Sequence, residues 1–267
     1  MDDRQILRFI SDSIKLAGNE LMRLFAQDTQ VSVKADSSFV TEADIASEKI
    51  IISKIKEAFP DDIILSEEAG LSSVSREPGR YIWIVDPLDG TTNFANRYPF
   101  FCVSCGRGQF LPNGKIDIVA GGIEDPIRKR TYLAGKGLGA TCNNKPIRIG
   151  KQRELSQSFL VTGFYYNRGE RLKKDVERFQ KLATHCQSIR RDGAAALDLA
   201  LVAEGIYDGF WELGLQPWDI AAGAILVTEA GGILTNYGSS PNSFFDIEGE
   251  GLVAGHPYTV EQISALL

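Results

Sequence analysis

Histidine is almost missing from this chain. Only His185 and His256 occur among 267 residues, far apart in sequence, so a zinc site has little to build on. Cysteine is scarce as well, at Cys102, Cys105, Cys142 and Cys186. Cys102 and Cys105 have the C-x-x-C spacing of zinc or redox sites. No second pair exists, however, and Phe101 to Cys105 reads as a strand, where an offset of three puts the two thiols on opposite faces. Reduced structural thiols in a cytoplasmic protein are expected. No apolar run approaches the ~20 residues of a membrane span. The start, Met1-Asp2-Asp3-Arg4, lacks the apolar core of a signal peptide, so neither secretion nor a membrane partner is expected. Positive charge is also short: 29 Lys and Arg face 35 Asp and Glu, for a formal charge of −6. Nucleic acid is not expected as a direct ligand, since such proteins show a basic face. There is no repeat, low-complexity segment or flexible linker.

What is there is ordinary soluble-protein material, 43% hydrophobic and 24% charged, enough for a core that needs no staples. Ile6, Ile10, Ile14, Ala17, Leu21 and Leu24 keep to one helical face between Asp3 and about Gln27. Val31 to Ser38 reads as a loop or short strand. Thr41 then reads as the N-cap of a helix, with an acid three residues on, running through Ile45, Ile51, Ile52 and Ile55 and stopping at Phe59-Pro60. Asp62 to Glu68 is a strand ending in acids. Strand-like segments near 100–110, 115–124, 130–134 and 139–149 alternate with turn signals, as in an antiparallel meander. Past Gly150 the texture becomes α/β: strands at Phe159–Thr162, Gln187–Arg190, Tyr207–Leu213, Ile233–Thr235 and Leu252–Ala254 alternate with helices at Arg171–Cys186, Ala194–Ala203 and Trp218–Ala230. Two halves, 1–150 and 151–267, are expected.

The most informative stretch runs from Trp83 to Phe94. An apolar run, Tyr81 to Val85, reads as a buried strand that stops at Asp86, with Asp89 three positions on and Pro87 between them. Gly90-Thr91-Thr92-Asn93 then reads as a turn opening a short helix. Carboxylates at a strand end suit hard cations, and the N–H groups of a helix start suit phosphate. The same residues also fit a plain Asp-Pro turn between strand and loop. Glu67-Glu68 alone fits a solvated loop pair, and Asp219 alone a surface helix cap.

Taken together, Glu67-Glu68, the block Trp83 to Phe94, and Pro217-Trp218-Asp219-Ile220-Ala221-Ala222-Gly223, extended by Thr228-Glu229-Ala230-Gly231-Gly232, resemble the signature blocks of the inositol monophosphatase family. The likeness begins at Val40-Thr41-Glu42-Ala43-Asp44 and covers nearly the whole chain. It implies an α+β fold, a five-layered α-β-α-β-α sandwich of the inositol monophosphatase / sugar phosphatase type, and a homodimer. It also implies Mg²⁺, two to three ions per site: Glu67, Asp86 and the Leu88 carbonyl for one, Asp86, Asp89 and Asp219 for a second, and a weaker third near Glu67. Glu67 and Thr92, with Asp44, would orient the attacking water. The Gly90 and Thr91 amides would hold phosphate oxygens. Asp89, Ala195, Glu212 and Asp219 would meet the substrate, Glu212 by accepting hydrogen bonds from polyol hydroxyls. Charge agrees with the metals. Four ionised carboxylates would repel a phosphate by roughly 4 kcal/mol per unit-charge pair at about 4 Å in a dielectric of about 20. Two divalent ions would cancel the cluster.

The implied reaction is hydrolysis of a phosphate monoester, myo-inositol 1-phosphate foremost, by in-line attack of water. Alternatives are histidinol phosphate, fructose 1,6-bisphosphate or 3′-phosphoadenosine 5′-phosphate and, in another class, a role as a partner of transcription machinery. Three features depart from the inositol type or leave room for the alternatives. Ala194 stands where many relatives carry a hydroxyl residue. Ser38 stands where an acid usually precedes the Val-Thr pair, with Asp36 displaced earlier. This pattern is closer to the histidinol and nucleotide phosphatases and bears on the third metal and lithium sensitivity. Arg190-Arg191 could reach a second phosphate.

Overall fold

The computed structural model describes residues 1–27, 31–33, 39–164, 169–240 and 243–267. Helix α1 (Asp3–Phe25) is started by a reciprocal cap: Asp2 Oδ1 accepts the Gln5 N–H at 2.8 Å and Gln5 Oε1 accepts the Asp2 N–H at 2.8 Å. Two orphan donors of the first turn are thereby satisfied. Ile10, Ile14 and Leu21 on its inner face are fully buried, each worth about 1.5–3 kcal/mol of transfer free energy. Strands β1 (Val31–Val33) and β2 (Phe39–Thr41) pair antiparallel before α2 (Glu42–Ala58). The Lys34–Ser38 departure, with its bearing on the third metal, lies outside the described residues, as does the Thr41 cap side chain.

An eight-stranded sheet follows. It is built from β3 (Ile63–Ser66), β4 (Gly70–Leu71), β5 (Tyr81–Asp89), β6 (Cys102–Phe110), β7 (Ile116–Asp125), β8 (Arg130–Gly135), β9 (Gly139–Cys142) and β10 (Lys145–Pro146), in the order β10-β9-β8-β7-β6-β5-β3-β4. From β5 onward it is the expected antiparallel meander. The informative exception is β3, which runs parallel to β5 with Ser66 opposite Val85. Parallel pairing brings the carboxyl ends of both strands to one edge, so Glu67 and Asp86 become neighbours.

Strand β5 alternates as a strand covered on both faces must. Ile82 and Ile84 join one apolar cluster, while Trp83 and Val85 join another against α1 and α2. It does not stop at Asp86 as the apolar run suggests. It continues through Pro87 to Asp89, with a register slip: Asp86 lies opposite Ser104 and Asp89 opposite Cys102. Three steps on one strand thus match two on the other. Proline is tolerated there because the bulge asks no N–H of it. An unbroken strand would point Asp86 and Asp89 to opposite faces; the extra residue turns them to the same side.

The remainder forms a five-stranded sheet. Its strands are β11 (Phe159–Thr162), β12 (Ser188–Arg190), β13 (Gly209–Leu213), β14 (Ile233–Asn236) and β15 (Gly251–Gly255), in the order β12-β11-β13-β15-β14. Its helices are α4 (Glu170–Ala183), α5 (Ala195–Ala203), α6 (Pro217–Glu229) and α7 (Pro257–Leu266), the short α3 (Thr91–Ala95) having followed β5. Helix α7 has no counterpart in the sequence reading, although Pro257 in its first turn is a start signal.

Three apolar clusters separate five layers. One lies between α1–α2 and the large sheet. A second joins both sheets to α5 and α6, and a third lies between the small sheet and α4–α7. The architecture is α-β-α-β-α. Cys102 belongs to the middle cluster and Cys105 to the outer one, on opposite faces of β6, and all four cysteines are free. Helix α6 lies flat on the large sheet because Gly106 and Gly121 offer no Cβ. One at Gly121 would sit 2.9 Å from the Ala222 Cα, and one at Gly106 2.8 Å from the Ala221 Cβ. Among the described residues, no helix is long and apolar enough to cross a membrane.

Candidate active site

The two acid-bearing strand ends are tied down by one face of α2. Asp44, Ser47 and Glu48, at positions i, i+3 and i+4, are all buried and share the helix face of Ile51 and Ile55. Glu48 Oε1 accepts the Ser66 hydroxyl, the Glu68 N–H at 3.2 Å and the Ala69 N–H at 2.9 Å, which fixes the turn carrying Glu67. Ser47 donates to the Pro87 carbonyl at 2.6 Å. The Leu88 N–H closes the bend onto Asp86 Oδ1 at 3.0 Å. Removing the Ser47 hydroxyl would leave the buried Pro87 carbonyl without this partner, so Ser47→Ala is expected to cost about 1–3 kcal/mol. A denaturant melt reads this, and an unchanged midpoint would refute it.

Past the bulge, Gly90 takes a left-handed conformation (φ +92°, ψ +36°) and starts α3. The Thr91 hydroxyl lies 3.0 Å from Asp44 Oδ1 and 3.0 Å from the Leu88 carbonyl; its single proton serves one acceptor at a time. Asn93 Nδ2 donates to the carbonyls of Phe100 at 2.7 Å and Asp192 at 2.8 Å, stitching this turn to the loop before α5. The start of α5 is in turn held by Asp89, whose Oδ2 accepts the Ala196 N–H at 2.7 Å and faces the Cys102 thiol at 3.7 Å. A carboxylate at a helix N-terminus satisfies orphan N–H groups and sits at the positive end of the dipole. Asp219, in the first turn of α6, accepts the Gln216 N–H at 2.7 Å.

These parts surround one cleft enclosing about 690 Å³ of empty space, part of it open to solvent. Glu67, Asp86, Leu88, Asp89, Gly90, Thr91, Thr92 and Asp219 line it, together with Gly163, Arg191, Ala195, Asp198 and Glu212. Burial raises the Asp86 carboxyl well above the usual carboxylate range, and Glu67, Asp89 and Asp219 push it the same way. Asp219 is raised by burial, then by Asp89 and Glu67. Burial pushes Asp89 up to about 6 against the Ala195–Leu197 amides and the Cys102 thiol, which pull it down. The donor set is all oxygen and of one sign, the chemistry of a hard divalent cation site. Among the described residues no three of these groups close into a finished coordination shell; they ring an open cleft.

Every described residue given a metal, water or substrate role by the resemblance lies in or directly behind this cleft, and of the Arg190-Arg191 doublet Arg191 lines it. One pairing differs. The resemblance links Asp44 with Thr92, whereas the hydroxyl bonded to Asp44 is that of Thr91, the residue directly after the left-handed Gly90. Thr92 lines the cleft, and its carbonyl accepts from Asn96 Nδ2 at 2.8 Å. Ser47, Glu48, Asn93 and Asp198 escape the sequence reading. The signal for the first two was available in their sharing a helical face with Ile51 and Ile55.

Over residues 2–266 the chain matches the Inositol monophosphatase family. It is a member of that family. An inositol-1-monophosphatase of Synechocystis sp. is 41% identical over 237 residues, covering 88% of this chain and 80% of that protein. The Nus factor SuhB of Pseudomonas aeruginosa is 39% identical over 228 residues, covering 84% and 82%. Among solved structures, the inositol monophosphatase of Anabaena (Nostoc) sp. superposes with a TM-score of 0.84 at 39% identity, over 98% of this chain and 95% of that one. Like other inositol monophosphatase family members, the protein is a phosphoric monoester hydrolase, and the family is generally metal-dependent.

Proposed function

We propose that the protein hydrolyses the phosphate monoester of a polyol, myo-inositol 1-phosphate foremost, with Mg²⁺ bound and water as the nucleophile. The observation that carries this is the convergence of Glu67, Asp86, Asp89 and Asp219, from three separate elements, on the cleft that Gly90 and Thr91 also line. Glu67, Asp86, the Leu88 carbonyl, Asp89 and Asp219 would hold two to three Mg²⁺ ions. When bound, the ions would neutralise the carboxylates, polarise the phosphate and make a water acidic enough to attack. The chain's own groups do the rest. The Gly90 and Thr91 N–H groups, unpaired within a helix's first turn, hold phosphate oxygens. The Thr91 hydroxyl, with Asp44 behind it, and Glu67 orient the attacking water, and Thr92 borders the same seat. Asp89, Ala195, Glu212 and Asp219 meet the alcohol, which leaves toward the Glu212 wall. Burial pushes the Cys102 thiol up, away from the thiolate form, and no cysteine or histidine nucleophile is required: water attacks directly, and trapping a phosphoenzyme would sink this mechanism.

The alcohol wall favours a monophosphate. Among the described lining residues Arg191 is the cation, and it acts on two carboxylates, Glu212 and Asp198, both of which burial raises well above the usual carboxylate range. A second phosphate would meet, among the described lining residues, a cation already shared between two carboxylates. Fructose 1,6-bisphosphate and 3′-phosphoadenosine 5′-phosphate are therefore expected to turn over more slowly than inositol or histidinol phosphate. Glu212 favours the hydroxyl-rich member of that pair. The likeness also implies a cytoplasmic homodimer with hydrolytic acids mainly from 1–150 and the alcohol wall from 151–267.

A second reading rests on relatives named Nus factor SuhB: a role as a partner of transcription machinery, independent of turnover. Phosphate release across the substrate panel, with Mg²⁺ and with EDTA, decides between them. Release with Mg²⁺ that EDTA abolishes is expected. No release from any substrate would retire the enzymatic assignment and leave the partner role.

A further inference from the structure

Gly163 follows β11 and lines the cleft directly beside Glu212. Its backbone is not in the left-handed region that favours glycine, so the main chain there would accept alanine. What would not accept it is the neighbour. A Cβ built on Gly163 overlaps both carboxylate oxygens and the Cδ of Glu212. The missing side chain is the seat of that carboxylate. Glu212 also feels the charge of Arg191, and its backbone is fixed by its strand, β13, whose partner β15 sets Glu212 opposite Leu252, while β11 pairs Thr162 with Trp211. The Thr162 hydroxyl donates to the Trp211 carbonyl at 2.6 Å, pinning the backbone on each side of the contact. Neither strand can retreat, so a methyl at 163 has to be met by movement of the Glu212 side chain.

We propose that Gly163 is a positioning residue for substrate choice. The space it leaves holds the Glu212 carboxylate in the aim that meets the hydroxyls of a polyol phosphate. The proposal deepens the assignment of Glu212 to the alcohol and rests on it. The effect of Gly163 passes through Glu212, the side chain that fills the place of its missing Cβ.

The test compares kcat/KM for myo-inositol 1-phosphate with that for 4-nitrophenyl phosphate, which offers no hydroxyls, in Gly163→Ala, Glu212→Ala and the double variant. Gly163→Ala is expected to lower the ratio about tenfold, mainly through KM for the polyol, and to lower the melting temperature. In the Glu212→Ala background, where the space is free, the added methyl should move neither the ratio nor the melting temperature. A Gly163→Ala ratio like that of the unaltered protein, or an equal loss in both backgrounds, overturns the proposal while leaving Glu212 its role. If Glu212→Ala itself leaves the ratio intact, the assignment of Glu212 and the proposal fall together. Loss of the melting-temperature effect in the double variant is readable without any turnover.

Discussion

Asp89→Asn is expected to reduce phosphate release by at least about 10²–10³-fold, the usual loss on removing one preorganised charged or hydrogen-bonding group from a site, without unfolding the protein. The reason lies in what Asp89 does twice over. One oxygen accepts the Ala196 N–H at 2.7 Å and fixes the start of α5, a task an amide oxygen can take over with the same shape. The charge is the part asparagine cannot supply, and it is the charge that a divalent cation and its water would answer to. The variant also has one fewer member in a set of buried carboxylates that oppose one another. Without divalent ions it should therefore melt no lower than the unaltered protein, and any rise on adding Mg²⁺ should shrink. Release of phosphate within threefold of the unaltered rate would remove Asp89 from the proposed machinery.

The second large effect is structural. Gly90→Ala should cost about 2–5 kcal/mol and take activity with it. A non-glycine residue in the left-handed region costs about 1–2 kcal/mol, and overpacking a filled site about 1–3 kcal/mol more. Both apply at Gly90, where φ is +92° and a Cβ would stand 3.0 Å from the Phe100 carbonyl and 3.2 Å from the Cβ atoms of Ala194 and Phe101. Gly137 supplies the control. Its φ is +75° and nothing lies within 4 Å of a Cβ there, so Gly137→Ala should show the backbone cost alone. At about 2–4 °C per kcal/mol for a chain of this size, Gly90→Ala should melt several degrees below Gly137→Ala. Equal melting points would mean that the turn yields and that the crowding is not real.

What could be read from sequence was what is local in sequence. The strand, the two aspartates and the glycine turn lie within a dozen residues, and the helical faces of α1 and α2 follow from spacing alone. The things missed are set by distant residues. Glu48 matters because of residues 18 to 21 positions away, and Ser47 because of one 40 positions away. Two adjacent threonines, Thr91 and Thr92, cannot be told apart until Asp44 is seen to reach the first. The end of β5 lies beyond its apolar run for a related reason. A proline after an aspartate normally breaks a strand, and only its pairing with β6 turns the break into a bulge. Gly163 carries no positional signal at all, because its need for empty space comes from Glu212 across the sheet.

Because Asp44, Ser47 and Glu48 sit on consecutive turns of one helix, Glu67 and the Asp86–Thr91 segment ride on a single lever. Breathing of the large sheet shifts them together, so the separation between their oxygens should stay constant while the sheet flexes. Loosening α2 releases the holds of Asp44, Ser47 and Glu48 at once. These holds should consequently be lost in one step, and amide hydrogen exchange at Glu68 and Ala69, whose N–H groups bond to Glu48, should quicken in concert with that of α2.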